Sequence, residues 1–518
     1  MNLKNPFATM TSPIRSTLIP ITYTPIYRYA LWLVCGMLFA IAFIFPWFWW
    51  TCFPAVFLLL HNIVTASSVR EVIVGGLLVG ILKSAGGIIW FWNTYPLDWL
   101  ITNGQAPQSL LMALIGFHWL YVACILGIGM VFCTACFYAL ITQNVLWIYI
   151  FPFLFMASEV LGSILVSIAG LGPGSSLNAS FSFGYIGYPF ANLSAFLPLA
   201  SFGGVYAIAF FGLFLVTLIY VFVQDKTTRN VNGIAFVISL VLLGVFLLSF
   251  SHTETDRELV GKRIVAVDTT FPAAMFQNKE GFKTKEVELL SAIESALTFE
   301  PDIVVLPEDA RFVSAFQTPD HALTFLKQIS KEHGVTLIDS TRTKDSHGEI
   351  ILRSYIFDTE YDHIYMVDKQ YLVPLGEYLP YLHSMFLDFI GADDFLSTLE
   401  RNQNYRPGPL ASYEHIPDEI PSVLFCFESS KPFAAKQVTN DRDAALIVHL
   451  ISHSWFREPK QLWKQLDTML RIQAIWSRTA ILQTGNMTQN RIYYADGSSY
   501  EGEEIAEDSY WKLYLYEI

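Results

Sequence analysis

The apolar positions in the first half of the chain form long, almost unbroken stretches. A helix that crosses a hydrocarbon core of about 30 Å needs roughly 20 apolar residues. Stretches near that length predict seven transmembrane helices, at Tyr29–Phe45, Trp47–Leu60, Val72–Trp92, Ser109–Thr142, Val145–Ala169, Leu193–Val223 and Val231–Phe250. Residues 1–28 then form a cytoplasmic segment and residues 29–252 the membrane domain.

The pattern changes after about residue 262, where short apolar runs alternate with segments of helical spacing. The predicted strands are Arg263–Asp268, Asp302–Leu306, Val335–Asp339, Ser354–Asp358, His363–Val367, Ser422–Phe425, Ala444–His449, Thr479–Gln483 and Arg491–Tyr494. The predicted helices are Lys285–Leu297, Ala322–His333 and Gln461–Ser477. Uniformly apolar strands that alternate with helices indicate an α/β sheet covered on its faces, so residues 262–518 are expected to form a globular α/β domain.

Charge is distributed as unevenly as hydrophobicity. Hydrophobic residues make up 53% of the chain and charged residues only 15%. Between residues 29 and 224 the charged residues are Arg70, Glu71, Lys83, Asp98 and Glu159. Residues 225–518 hold 27 basic and 42 acidic residues. An acidic domain lacks the clustered Lys and Arg that bind phosphate backbones, which argues against nucleic acid as a partner.

Basic residues also predict the orientation of the spans. Cytoplasmic loops carry an excess of Lys and Arg. With seven spans and the N-terminus inside, all the basic residues of the short connecting segments lie inside: Lys4, Arg15, Arg28, Arg70, Lys226 and Arg229. The α/β domain is then outside, in the periplasm of a Gram-negative-type cell.

Three ionisable groups lie within the apolar half, namely Lys83, His118 and Glu159. Such groups are costly in lipid and should face the bundle interior or a wet cavity. They could serve function, or Lys83 and Glu159 could simply pair. The uncharged loop Leu171–Phe190 is rich in Gly, Ser, Phe and Tyr, which suits either a lipid entrance or an ordinary interfacial loop with aromatic anchors.

Polar residues follow three predicted strands, and together they form a candidate catalytic set. Glu308 follows one strand, Lys369 a second and Cys426 a third. Residues at strand ends of α/β folds meet at one sheet edge, where sites are usually built. A carboxylate can take the thiol proton, an ammonium can stabilise the thiolate and then an oxyanion, and the thiolate can attack an acyl carbon.

Cysteine usage favours Cys426 as a nucleophile. The other five, at positions 35, 52, 124, 133 and 136, lie in predicted spans, so Cys426 is alone in the external domain. A lone external thiol suggests use, although a buried, inert cysteine on a strand is the alternative. Cys133 and Cys136 form a C-x-x-C spacing inside an apolar helix, where small packing residues are favoured over redox chemistry.

At these residues the sequence resembles a known family. The segments are V-V-L-P-E-D (Val304–Asp309), D-K-Q-Y-L-V-P-L-G-E-Y-L-P (Asp368–Pro380) and L-F-C-F-E (Leu424–Glu428). They resemble the nitrilase (carbon–nitrogen hydrolase) superfamily and, within it, the apolipoprotein N-acyltransferase family. That resemblance implies a polytopic α-helical membrane domain followed by a periplasmic α/β nitrilase-like αββα sandwich.

The resemblance also implies roles. Cys426 would be the nucleophile that takes a fatty acyl group from a phospholipid of the inner membrane, Glu308 the general base and Lys369 the oxyanion donor. Glu377, Phe427 and Glu428 match supporting positions; alternatively, Glu377 could be a loop-stabilising ion-pair partner and Glu428 a carboxylate at a helix N-terminus. The acyl group would pass to the N-terminal amine of a diacylglyceryl-cysteine lipoprotein, with no metal or diffusible cofactor.

Several positions depart from the family pattern. The family's Asn-Asp is replaced by Ser452–His453, its first-loop Trp has its counterpart in Phe276, and its eighth span has no matching apolar stretch in the polar, aromatic tail that ends at Ile518. Three functions therefore stay open. They are a lipoprotein N-acyltransferase (or a divergent one with another amine acceptor), a membrane-tethered amidase or hydrolase, and a non-enzymatic assembly protein with a decayed nitrilase module.

Overall fold

The first half of the computed structural model is a bundle of apolar helices. The structure describes residues 24–97, 108–224, 261–312 (except 274 and 276–278), 319–358, 363–409, 416–439 and 444–518. The helices of the bundle are α1 (Pro25–Ile44), α2 (Cys52–Thr65), α3 (Val69–Gly87), α4 (Gln108–Ile141), α5 (Phe151–Ala169), α6 (Gly187–Ala191) and α7 (Ala200–Gln224). Short 3₁₀ turns precede α2, α5 and α7 and follow α3.

Among the described residues, five helical stretches are long and apolar enough to cross a membrane. They are Ile26–Ile44, Pro46–Thr65, Leu111–Ile141, Val145–Ala169 and Ser194–Gln224, and they coincide with five of the predicted spans. Helix α3, which holds the third predicted span, is not among them. The seventh predicted span, Val231–Phe250, lies outside the described residues, so the count of seven and the orientation derived from it stay predictions.

Glycines allow α3 to pack closely in the bundle. A Cβ added at Gly80 would lie 2.5 Å from the carbonyl oxygen of Gly127 on α4, and one added at Gly75 would lie 2.2 Å from the Trp32 ring on α1. Small residues of this kind let helix backbones approach each other within a membrane. The third predicted span is therefore a central helix of the bundle.

The second half is an α/β domain. Its helices are α8 (Lys279–Leu297), α9 (Pro319–His333), α10 (Tyr381–Phe389), α11 (Asp393–Asn402), α12 (Ala434–Val438) and α13 (Lys460–Ser477). Its strands are β1 (Arg263–Thr269), β2 (Ile303–Val305), β3 (Thr336–Lys344), β4 (Ile350–Asp358), β5 (His363–Asp368), β6 (Ser422–Phe425), β7 (Leu446–Ser452), β8 (Ala480–Asn486), β9 (Arg491–Tyr493), β10 (Ser499–Tyr500), β11 (Glu503–Glu507) and β12 (Trp511–Glu517).

Alternating strand residues build a four-layer sandwich. Strands β1 to β5, with β11 and β12, form one half-sheet, and β6 to β10 form the other; the pair Thr269–Asn486 joins them. Ile264 of β1 and Leu446 of β7 point into one shared core between the half-sheets. Val265 faces α8 and α9, whereas Ile447 faces α12 and α13. Because successive strand residues point to opposite faces, the layers are helix, sheet, sheet, helix, as the αββα prediction requires.

The predicted elements of this domain are present, with boundaries shifted by a few residues. The predicted pairing of Ser354–Asp358 with His363–Val367 is confirmed as the antiparallel β4–β5 pair. The polar, aromatic tail, where no strand was predicted, contains β12, which pairs antiparallel with β1 along its whole length. Its alternating pattern places Trp511 and Leu513 in the core.

Helix α13 joins the two halves of the chain. Leu470 and Ala474 on one face pack on the second half-sheet, while other residues of α13 join the core of the helical bundle. The Gln465 Nε2 group donates a 2.8 Å hydrogen bond to the Gly87 carbonyl at the end of α3. The α/β domain is therefore seated directly on the helices.

Candidate active site

The fold brings Glu308, Lys369 and Cys426 into one cluster. Glu308 lies three residues beyond β2, Lys369 directly follows β5, and Cys426 directly follows β6. The Lys369 ammonium lies 3.0 Å from Glu308 Oε1, and the Cys426 sulfur interacts electrostatically with both groups. Glu308 and Lys369 are thus in contact, and Cys426 lies near enough for both charges to act on its thiol, although β6 belongs to the opposite half-sheet.

Lys369 is the centre of the cluster. Its side chain is 1% exposed, and Nζ lies 2.7 Å from Glu377 Oε1 as well as 3.0 Å from Glu308 Oε1. Burial alone would lower the pKa of Lys369, but the two carboxylates outweigh it and hold the pKa well above its ordinary value. The side chain is therefore a fixed cation, suited to stabilising an oxyanion.

Cys426 begins a short 3₁₀ turn, Cys426–Ser430, at the end of β6, and its side chain is partly exposed. Burial and the Glu308 charge raise the pKa of the Cys426 thiol, while Lys369 and the backbone N–H of Ser452 oppose that rise. The thiol is protonated at rest and needs a base to become a nucleophile.

Glu308 has the properties of that base. Burial is the largest cause that raises its pKa, the Glu377 charge adds to it, and Lys369 opposes it, which leaves a value of about 7. A base whose pKa lies near the working pH can both take and return a proton. The arrangement can therefore deprotonate a thiol and later protonate a leaving group.

Glu377 combines the two roles considered from the sequence, a supporting acid and a loop-stabilising ion-pair partner. Its Oε1 accepts from Lys369, and its Oε2 accepts a 2.7 Å hydrogen bond from the Val373 N–H. It is thus an ion-pair partner that braces its own loop and also a second acid beside the cluster. A Cβ on the adjacent Gly376 would lie 2.3 Å from the Trp455 ring, so the loop fits closely there.

Glu428 and Phe427 stabilise the turn after Cys426. Glu428 Oε2 accepts from the Phe425 N–H at 3.0 Å, and Oε1 accepts from the N–H groups of Gln370 and Tyr371 at 2.7 and 3.1 Å. The predicted carboxylate at a helix start is thus also a bridge to the Lys369 segment. The Phe427 ring stacks on Tyr371 with centroids 5.1 Å apart.

Sequence reasoning missed other residues around the cluster. His449 Nε2–H donates to the Cys426 carbonyl at 3.1 Å, and burial lowers the His449 pKa to about 4, so the ring is neutral. In the sequence, His449 could have been noticed as a polar residue within an otherwise apolar strand.

Next to Glu308, Asp309 has a φ of 53°, and its carboxylate accepts hydrogen bonds from Arg311 and Arg342 at 2.7 to 2.9 Å. Phe276 lies outside the described residues.

The ionisable groups of the bundle also have partners. Lys83 Nζ and Glu159 Oε1 are 2.7 Å apart, as the pairing alternative required. His118 lies against His383 of α10, with ring centroids 5.3 Å apart.

The loop Leu171–Phe190 is largely covered by protein in its second half, where Phe181, Phe183 and Tyr185 are buried. Among the described residues there is no group of three or more His, Cys, Asp and Glu side chains that could hold a metal ion.

No family model matches the chain. Among curated proteins it is similar to the apolipoprotein N-acyltransferases of Campylobacter jejuni (21% identical, over 54% of this chain and 57% of that protein), of Aquifex aeolicus (23%, over 65% and 69%) and of Rhizobium leguminosarum bv. trifolii (22%, over 81% and 79%). The chain thus spans little more than half the length of the Campylobacter protein.

Similar solved structures include an amidase from Nesterenkonia sp. (15% identical, TM-score 0.34, over 51% of this chain and 94% of that one). A carbon–nitrogen hydrolase from Helicobacter pylori is 14% identical, with a TM-score of 0.34, over 48% of this chain and 89% of the other.

The fold and the site define a membrane protein with an αββα domain that contains a Glu–Lys–Cys cluster. Within that class, the resemblance of the sequence to the apolipoprotein N-acyltransferase family is confirmed.

Proposed function

We propose that this protein is an N-acyltransferase that moves a fatty acyl group from a phospholipid, through a thioester on Cys426, to the N-terminal amine of a diacylglyceryl-cysteine lipoprotein. The observation that carries the proposal is the Lys369 ammonium, held by Glu308 and Glu377 beside the Cys426 sulfur. The names of the sequence relatives support the same activity.

In the first half-reaction, Glu308 takes the thiol proton and the Cys426 sulfur attacks the ester carbonyl carbon. Lys369 stabilises the oxyanion that forms. The C–O bond breaks, and the lysophospholipid alcohol leaves with the proton from Glu308. In the second, the acceptor amine attacks the thioester carbonyl, Glu308 takes a proton from the amine, and Cys426 leaves as the thiolate and regains that proton.

The position of the site suits a lipid donor. Helix α10 follows the Glu377 loop, touches the bundle through His383 and His118, and leaves Met385 68% and Phe389 87% exposed. Large exposed apolar surface of this kind fits a membrane interface. We place the protein in the inner membrane with the α/β domain on the periplasmic side, on the distribution of basic residues in the short loops.

The test uses the full chain in phospholipid nanodiscs with a synthetic diacylated lipopeptide. We expect a triacylated lipopeptide and, without acceptor, an acyl adduct on the Cys426 peptide by mass spectrometry. Cys426→Ser should abolish both, and Cys124→Ser, at another partly exposed cysteine, should abolish neither. Fatty acid release that needs no acceptor would favour the amidase or hydrolase, and absence of any adduct would favour the decayed module; either result contradicts the proposal.

A further inference from the structure

An ion pair lies buried inside the helical bundle, between Lys83 of α3 and Glu159 of α5. The Lys83 Nζ and Glu159 Oε1 atoms are 2.7 Å apart, and the two side chains are 7% and 4% exposed. Buried charge is costly even when it is paired, and it is a weak source of stability. The role of the Lys83–Glu159 pair therefore depends on the hydrogen bonds that it makes with other residues.

Both members of the pair bind the same loop. Lys83 Nζ donates a 2.6 Å hydrogen bond to the Gly184 carbonyl, and the Ile186 N–H donates a 2.8 Å bond to Glu159 Oε1. Gly184 has a φ of 84°, and a Cβ on Gly87 would lie 2.7 Å from its Cα. The backbone of this segment, Ser180–Ile186, which we call the docking loop, thus lies directly on α3 and α5.

The opposite side of the docking loop binds the turn that starts at Cys426. The N–H and Oγ–H groups of Ser182 donate to the Ser430 carbonyl at 3.3 and 2.5 Å, and Ser430 Oγ–H donates to the Ser180 carbonyl at 3.2 Å. The Phe181 and Phe183 ring centroids lie 6.3 and 6.4 Å from that of Phe427. The loop therefore contacts the residue next to the candidate nucleophile and the last residue of its turn.

We propose that Lys83 and Glu159 are positioning residues for the candidate active site. The pair fixes the docking loop, and the loop in turn fixes Phe427 and the Cys426 turn, so charges inside the bundle set the geometry of the nucleophile. Lys369, Glu308 and Glu377 bind each other without the loop and stay in place when the pair is lost. The inference rests on the proposed function only in its prediction for acylation.

The experiment removes both charges at once, in Lys83→Met/Glu159→Gln, so that neither is left buried alone. The matched control is Arg28→Met/Glu71→Gln, which removes another ion pair of the bundle, 3.2 Å between α1 and α3. The first readouts need no lipid substrate. They are the alkylation rate of Cys426 by iodoacetamide, followed by peptide mass spectrometry, and hydrogen exchange of the docking loop, residues 180–186.

We expect the test variant to change the alkylation rate at least about fivefold and to speed exchange in the docking loop, whereas the control matches the wild type in both. Lys83→Arg, which keeps the charge, should retain an alkylation rate and a loop exchange rate close to those of the wild type. Acyl-adduct formation should fall with the altered alkylation rate.

Unchanged alkylation and exchange in the folded test variant would overturn the proposal, whether or not the protein acylates lipopeptides. If the protein proves to have no acyltransferase activity, Cys426 alkylation and hydrogen exchange still show whether the Lys83–Glu159 pair positions the Cys426 turn. If the double variant does not fold, Ser182→Ala, which removes the Oγ–H bond from the docking loop to the Ser430 carbonyl, takes its place, and an unchanged Cys426 alkylation rate there overturns the proposal.

Discussion

Glu428 accepts a 2.7 Å hydrogen bond from the backbone N–H of Gln370. The carboxylate two residues after the candidate nucleophile thereby holds the residue that follows the candidate oxyanion donor. Because Cys426 and Lys369 follow strands in opposite half-sheets, this bond and its neighbour from Tyr371 cross the sandwich. The spacing of nucleophile and ammonium depends on it.

We expect Glu428→Gln to lower both stability and the rate of Cys426 acylation. The carboxylate accepts from three backbone N–H groups, and an amide nitrogen cannot accept, so at least one buried N–H loses its partner at a cost of about 1–3 kcal/mol. Chemical unfolding and single-turnover acylation measure the two effects. Glu400→Gln, at an exposed position of α11, is the control; equal behaviour of the two variants would contradict the bridging role.

The acylation rate should depend on the ionisation of Glu308. Its raised pKa of about 7 means that the base is protonated, and inactive, at lower pH. The single-turnover rate should therefore rise with pH through a midpoint near 7 and fall about tenfold per unit well below it. Glu308→Gln should lose about 10²–10⁴ in rate together with this limb. Glu294→Gln on α8 should keep the limb, and a flat profile in the wild type would exclude Glu308 as the base.

Glu377→Gln should shift that midpoint to lower pH. The negative charge of Glu377 raises the pKa of Glu308, so removing the charge lets Glu308 ionise more readily. Glu377→Asp keeps the charge and should keep the midpoint. A variant that loses rate equally at every pH, with no shift, would mean that Glu377 only braces its loop.

The seating of the α/β domain can be tested at a pair of glycines in α7. A Cβ on Gly204 would lie 2.2 Å from the Trp476 ring of α13, and Gly204 has a φ of 58°. A Cβ on Gly203 would make only an ordinary 3.6 Å contact with Ala207. Gly204→Ala should therefore destabilise the protein by about 1–3 kcal/mol, through overpacking against Trp476 together with backbone strain at the positive φ, and Gly203→Ala by much less. Thermal unfolding in detergent compares them; similar losses would argue against tight seating at Trp476.

The candidate site was predictable because its residues follow uniformly apolar strands. Glu308, Lys369 and Cys426 each stand just beyond such a run, and the ends of such strands are expected at one edge of the fold. The packing of two half-sheets, which brings the end of β6 towards the other two residues, was not predicted from these runs. The hydrogen-bond partners of these residues were harder to predict from the sequence. His449 is a polar residue within an apolar strand, and its hydrogen bond to the Cys426 carbonyl depends on the register of β6 and β7.

Long-range packing explains the other differences. The Gly, Ser and aromatic composition of Leu171–Phe190 suits lipid and protein equally well, and the contacts that cover this loop with protein include residues as distant in sequence as Ser430 and Phe427. The alternation along Trp511–Glu517 is a strand pattern, but its partner is the first strand of the domain, and the sequence between them does not reveal that pairing.

That pairing has a consequence for how the protein matures. Strand β1 lies between β2 and β12, so the half-sheet that leads to Glu308 keeps an open edge until residues 511–517 have been synthesised. An unpaired edge is prone to wrong partners. During biogenesis that edge of β1 stays without its native partner until translation has reached β12.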